Sequence, residues 1–285
     1  MAQQNAYQVS DWNGRSGQRW VDHQQRLDAM LAPFGEAALA AAWPRKGEHV
    51  LDVGCGAGTS TLALAQRVGP AGQVLGVDIS APLIRRARER MPVGSSVTFS
   101  ICDAGSAGLR HAAFDLLFSR FGVMFFDDPT FAFAHMHRAL KPGGRLAFVC
   151  WRGARENDWV RLPLDALAGI VPTPPAPPPG YTPGPFAFAD RAWIRGMLTQ
   201  AGYNRIDITP YDFTIPFGQG VSREDALDDA LRMASAVGPL SRALADQDAE
   251  VRLRASEAVR AAFDKKPGER SVLIDGAAWI VTARA

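Results

Sequence analysis

Residues 50–60 read VLDVGCGAGTS. An apolar run carrying one acid, Asp52, ends at Val53, three glycines follow at alternate positions (Gly54, Gly56, Gly58), and an amphipathic stretch opens at Thr59. The spacing predicts a strand, a tight turn and a helix over 59–68. Glycines at such a turn allow backbone angles closed to other residues and let a ligand approach the main chain, while the free N–H groups of the helix start favour an anionic group. A carboxylate or phosphate is therefore expected there.

A dinucleotide turn is the obvious competitor. Its glycines run G-x-G-x-x-G, whereas here they run G-x-G-x-G with Thr59 where the last should fall. Asp52, two positions before the first glycine, would also repel a pyrophosphate. It suits instead a ligand that bears an ammonium group beside its carboxylate. Asp78, about twenty residues beyond the turn at the end of the next apolar run, stands where a carboxylate accepts hydrogen bonds from ribose hydroxyls. Asp103 ends the third run, again at the carboxyl edge where open α/β sheets bind ligands. An adenosine carrying an amino acid would satisfy all three acids.

Outward from this stretch, short apolar runs alternate with helical patterns. HVLDVG, QVLGVDIS, VTFSICD, FDLLFSRF and RLAFVCW are the runs; helices are expected over 82–90 and 129–140, with a turn at KPGG (141–144). Apolar strands alternating with helices predict a mostly parallel, Rossmann-like α/β sheet. Before it, Trp20, His23, Leu27, Met30 and Leu31 fall on one face of a helix over 15–32, with a shorter helix over 35–42. Residues 1–44 thus read as an N-terminal helical cap and 45–285 as the sheet domain. Within the latter lie a proline-rich loop (171–185), a helix capped by Asp190 and running to 201, an extended run, a helical insertion (221–265) and a closing strand.

The 285 residues are 47% hydrophobic and 21% charged, the composition of a globular chain. With 31 basic and 29 acidic residues, mixed along the sequence, no field of one sign is available to attract nucleic acid. Cys55, Cys102 and Cys150 are an odd, scattered set that fits reduced thiols. The opening residues lack the basic and apolar regions of a leader, and no stretch is long enough to span a membrane. A cytoplasmic protein is expected, and its oligomeric state is not legible.

In order and spacing, VLDVGCGAG (50–58), GVDIS (76–80), CDA (102–104), FDLLFSRFGVMFF (114–126) and RALKPGGRLAFVCW (138–151) resemble the class I S-adenosylmethionine-dependent methyltransferases, particularly the small-molecule group that includes ubiquinone/menaquinone biosynthesis enzymes. The resemblance covers roughly residues 45–151. It implies a seven-stranded sheet whose last strand, 272–284, is antiparallel. It also implies S-adenosylmethionine as cofactor, S-adenosylhomocysteine as product and methyl transfer as the activity. Asp52 and Gly54 would hold the methionine part, with Gly56 and Gly58 letting the turn approach it. Asp78 would take the ribose, Ile79 would cover adenine, Asp103 and the Ala104 backbone would read its edge, and Ser119 would be a further cofactor-binding residue. A cofactor-binding protein without catalysis is the alternative on the same fold.

The acceptor is less legible. Methyltransferases acting on base or glutamine amino groups often carry an Asn/Asp-Pro-Pro-aromatic element after the fourth strand, where this chain has Ser119, Arg120, Phe121 and Gly122. Ser119, Trp151 and Arg152 are poor metal ligands, so no metal is expected. Phe121, Met124 and Trp151, with Tyr7, Trp12 and Trp20 from the cap, would suit a small, largely hydrophobic or aromatic acceptor. His23 is the candidate proton acceptor, its bland alternative being a packing histidine. Arg120 is a candidate partner for an acidic substrate or the cofactor carboxylate, or else an ion-pair member. His135 and His137 are expected on a solvated helix face.

Overall fold

The structure, a computed structural model, describes residues 5–172 and 180–285. Among the described residues two compact units emerge: 5–151, 181–211 and 278–285 form the first, and 152–172, 180 and 212–277 the second.

The first unit opens with three helices, α1 (Ala6–Asn13), α2 (Arg15–Asp22) and α3 (Gln24–Ala42). Then come β1 (His49–Val53), α4 (Thr59–Val68), β2 (Gln73–Asp78), α5 (Ala81–Glu89), β3 (Val97–Ile101), β4 (Phe114–Arg120), α6 (Pro129–His137) and β5 (Leu140–Trp151). Helix α7 (Asp158–Ala166) lies in the second unit, and α8 (Arg191–Gln200) returns to the first. Strands β6 (Asn204–Gln219) and β7 (Ser271–Arg284) run through both units, and between them α9 (Arg223–Ala236), α10 (Pro239–Ala243) and α11 (Ala249–Asp264) belong to the second.

The seven strands form one sheet in the order β3-β2-β1-β4-β5-β7-β6. The first five run parallel, with Val50 opposite both Val74 and Leu116, while β7 is antiparallel to β5 from Arg145 opposite Arg284 to Trp151 opposite Ala278. This is the Rossmann-like sheet with an antiparallel last strand that the sequence implied. Strand order reverses between β1 and β4, the crevice where such sheets take ligands, and the glycine turn leaves β1 at that point. Val50, Leu51, Leu116, Leu117, Phe118, Leu146, Phe148 and Val149 are solvent-free, so the central strands are apolar on both faces as parallel sheets require.

Four expectations need correction. The N-terminal helix expected over 15–32 is two helices that break at His23, and α3 runs on through Pro33 to Ala42. The hydrogen bond lost at Pro33 is outweighed by the buried face of Leu27, Met30, Leu31, Phe34, Ala38 and Leu39. The break lets α2 pack on α5 while α3 packs on β4 and β5. KPGG is not a separate turn but a bulge within β5, where the register to β4 jumps from Phe114–Leu140 to Leu116–Arg145 and Gly143 takes φ +76°. His135 and His137 are only partly exposed: the His135 ring bonds the Ala107 carbonyl, and His137 stands edge-on to Tyr203 at 4.9 Å, where burial lowers its pKa. The helix expected to run to residue 140 ends at His137.

Of the proline-rich loop expected over 171–185, positions 173–179 lie outside the described residues. Tyr181 stacks on Trp193 at 5.1 Å and donates its hydroxyl to the Phe126 carbonyl, and Gly184 N–H donates to the Met124 carbonyl. The helical insertion expected over 221–265 contains α9, α10 and α11, within the second unit.

Candidate active site at the glycine turn

Asp52, the fourth residue of β1, is wholly buried. Its Oδ2 accepts from Ser60 Oγ at 2.7 Å and Thr61 Oγ1 at 2.6 Å, both in the first turn of α4, whereas Oδ1 has no partner. Burial pushes its pKa up to about 6, against the pull of those hydroxyls and the Arg120 charge. A buried carboxylate oxygen left unpaired is costly, and a cationic donor from a ligand would satisfy it.

Around the turn, Gly54 has φ +65° and packs so tightly that a Cβ there would lie 2.6 Å from the Gly122 Cα, which closes the ends of β1 and β4 on each other. Gly56 has φ +54°, but a Cβ on it would meet nothing within 4 Å. At this position the main chain therefore borders open space. Gly58 opens α4 as its left-handed cap.

Asp78 ends β2 with both oxygens engaged: Oδ2 accepts from Gly56 N–H and Oδ1 from Ser80 N–H, each at 2.8 Å. Burial raises its pKa, and those two amide donors pull it back. The carboxylate thereby ties the glycine turn to the next loop while keeping further lone pairs for hydroxyl donors. Ile79 follows it, and the Ile79 carbonyl accepts from Asn13 Nδ2. Beyond β3, Asp103 accepts from Gly105 N–H on Oδ1 and from Asn5 Nδ2 on Oδ2, both within 2.8 Å, and Ala104 beside it is buried.

Ser119 is wholly buried, and its hydroxyl donates to the Val53 carbonyl at 2.7 Å and accepts from Gly122 N–H, so it fastens β4 to β1. Arg120 donates from Nη2 to Asp28 Oδ1 at 2.7 Å. Phe121 takes φ +57° and stacks on Trp151 at 4.2 Å with Phe34 edge-on to both, and Met124 is buried nearby in sequence. From the cap, Trp12 stands edge-on to Trp20 and Phe125, and its carbonyl accepts from Ser80 Oγ. Tyr7 is 73% exposed, outside these aromatic groups. His23 lies partly exposed at the junction of α2 and α3.

Three participants carry no local sequence signal. Asn5 bonds Asp103 and pairs with Asp127 through its own N–H and Oδ1, and Asn13 bonds Ile79 and Ala81. Asp28 collects Thr59, Gln24, Arg120 and Arg90. Burial alone would raise the Asp28 pKa, but the Arg120 charge and the surrounding donors hold it below the usual carboxylate range. Among the described residues, no group of three or more His, Cys, Asp or Glu is placed to hold a metal, and no helix is long and apolar enough to cross a membrane.

Residues 50–144 match a methyltransferase-domain family. An arsenite methyltransferase from Halobacterium salinarum is 31% identical over 183 residues, 63% of this chain and 43% of that protein. A ubiquinone/menaquinone biosynthesis C-methyltransferase from Methylococcus capsulatus is 38% identical over 112 residues, 38% of this chain and 45% of its own. The chain thus spans a little under half the length of these relatives. In fold it is similar to a phosphoethanolamine N-methyltransferase from Haemonchus contortus solved with S-adenosyl-L-methionine, at TM-score 0.51 and 18% identity over 88% of this chain and 52% of that one. The sheet order, the glycine turn and the matched domain together make residues 50–144 a methyltransferase domain, and the chain is similar to the class I S-adenosylmethionine-dependent methyltransferases.

Proposed function

We propose that this protein transfers a methyl group from S-adenosylmethionine to a small, largely hydrophobic or aromatic acceptor, without a metal ion. The observation that carries the cofactor half is the unpaired, wholly buried Asp52 Oδ1 at the end of β1, with open space at the Gly56 backbone of the turn that follows. Asp52 takes the ammonium group there, and the backbone from Gly54 to Gly58 lines the amino-acid end. Asp78 accepts from the ribose hydroxyls, Ile79 covers adenine, and Asp103 with the Ala104 backbone reads the adenine edge. Ser119 acts through the strand ends it joins.

When bound, the cofactor supplies an electrophilic methyl group on a sulfonium. The protein's part is alignment, since holding two reactants in line can contribute about 7 to 11 kcal/mol. Phe121, stacked on Trp151, and the Trp12–Trp20 pair supply flat apolar surfaces, and Met124 is buried just after Phe121 in the chain. The likeness to a ubiquinone/menaquinone C-methyltransferase supports a flat, apolar acceptor. The test is transfer from methyl-labelled S-adenosylmethionine to a panel of aromatic and aliphatic metabolites, with and without a chelator. Label in apolar products at an unchanged rate is expected. Transfer confined to polar acceptors, or abolished by the chelator, would contradict the reading.

A further inference from the structure

Arg120 and Asp52 project from the same face of the sheet. Asp52 sits opposite Phe118 in the parallel register, and Arg120 is two residues farther along β4, which places their Cα atoms roughly 8 Å apart. Both side chains lead to the first turn of α4: Asp52 binds Ser60 and Thr61, and Arg120 binds Asp28, which binds Thr59 Oγ1 at 2.5 Å.

Their polar capacity is complementary. Asp52 is an anion with an unpaired acceptor. Arg120, only 13% exposed in its side chain, spends Nη2 on Asp28 and, among the described residues, has no partner for Nε or Nη1. The neighbouring Arg90 is committed, since its Nη1 reaches the Ala57 carbonyl at 2.7 Å and Thr59 Oγ1 at 2.8 Å. Asp28 thus shares one carboxylate between two guanidinium groups, and once Asp52 is paired with a ligand ammonium group a positive charge is left unmatched in a half-buried place. Such a charge calls for an anion, and the start of α4 adds to the same field.

We propose that Arg120 binds the carboxylate of the cofactor's amino-acid end, across from Asp52 on its ammonium group, and that Asp28 is the positioning residue that aims the guanidinium. This rests on the cofactor reading above. Gly35 on α3 fits the role, because a Cβ there would lie 3.0 Å from Arg120 Cδ and displace the side chain from its seat.

The experiment is calorimetric titration of the wild type, Arg120→Gln and Asp28→Asn with S-adenosylmethionine and with decarboxylated S-adenosylmethionine, which keeps the ammonium group and lacks the carboxylate. The wild type is expected to prefer the complete cofactor by about 10- to 100-fold, the range of a hydrogen-bonded charge pair. Arg120→Gln is expected to erase that preference while holding the decarboxylated form within threefold, and Asp28→Asn to reduce it in part. Arg120→Lys, which keeps the charge, stands in if the glutamine variant does not fold, and is expected to retain an intermediate preference. Equal affinity of the wild type for both compounds, or an equal loss of both in the variants, would overturn the assignment. Failure of the wild type to bind either would instead bring down the cofactor reading itself.

Discussion

Replacing Gly56 by alanine separates the backbone cost of the turn from its role toward a ligand. At φ +54° a Cβ brings a penalty of about 1 to 2 kcal/mol, but it clashes with nothing within 4 Å. Gly94 offers a matched control: φ +75°, nothing within 4 Å of a Cβ, and a place in the turn before β3, at the opposite edge of the sheet. Both alanine variants should therefore melt only a few degrees lower, at about 2 to 4 °C per kcal/mol for chains near this size. They should differ in binding. If the open space at Gly56 holds the cofactor as proposed, the new methyl group of Gly56→Ala enters it, and overpacking typically costs about 1 to 3 kcal/mol, or about 5- to 150-fold in Kd. Calorimetry with S-adenosylhomocysteine, paired with thermal unfolding of all three proteins, reads both quantities. If Gly56→Ala and Gly94→Ala bind like the wild type, the open space at Gly56 is not the cofactor's.

Asp52 makes a pH prediction with a definite sign. Its carboxyl is raised from 3.8 to about 6 in the fold, so the protein takes up a proton on folding; its contribution to stability is full below about pH 4, falls as pH rises through 6, and is level above. Binding of the cofactor ammonium group favours the ionised form, so S-adenosylhomocysteine affinity should instead rise between pH 5 and 7, and Asp52→Asn should flatten both profiles. An affinity constant over that range would remove Asp52 from the ammonium group. Asp78→Ala should weaken S-adenosylhomocysteine by about 10- to 100-fold and also lower the melting temperature, because Gly56 and Ser80 lose the acceptor of their N–H groups. Binding unchanged in that variant would place the ribose elsewhere. His23→Ala is expected to keep turnover within threefold, as for a junction residue of two helices; a loss of about 100-fold with unchanged acceptor binding would make it a proton acceptor.

The sheet and its glycine turn were legible because their signals are local. Apolar runs, alternating glycines and strand-end acids each lie within a dozen residues, and α4 occupies 59–68 as its pattern predicts. The N-terminal helices were read less well, because Pro33 is a strong local signal that tertiary burial overrides, whereas the break at His23 answers to the different surfaces beneath α2 and α3. The ties of Asn5 to Asp103, Asn13 to Ile79 and Asp28 to Arg120 join residues 98, 66 and 92 positions apart, and no spacing rule reaches that far. Asp78 has a structural role that its sequence position does not signal. Its position suggests only a ribose ligand, but its two amide donors make it a fastener of the turn as well.

The claim that the glycine turn is an S-adenosylmethionine site is tested most directly by titrating the purified protein with S-adenosylhomocysteine and following heat and thermal unfolding together. One site per chain is expected, with a stabilisation of about 2.7 kcal/mol at a hundredfold excess over Kd. No heat and no shift in melting temperature at millimolar ligand would contradict it.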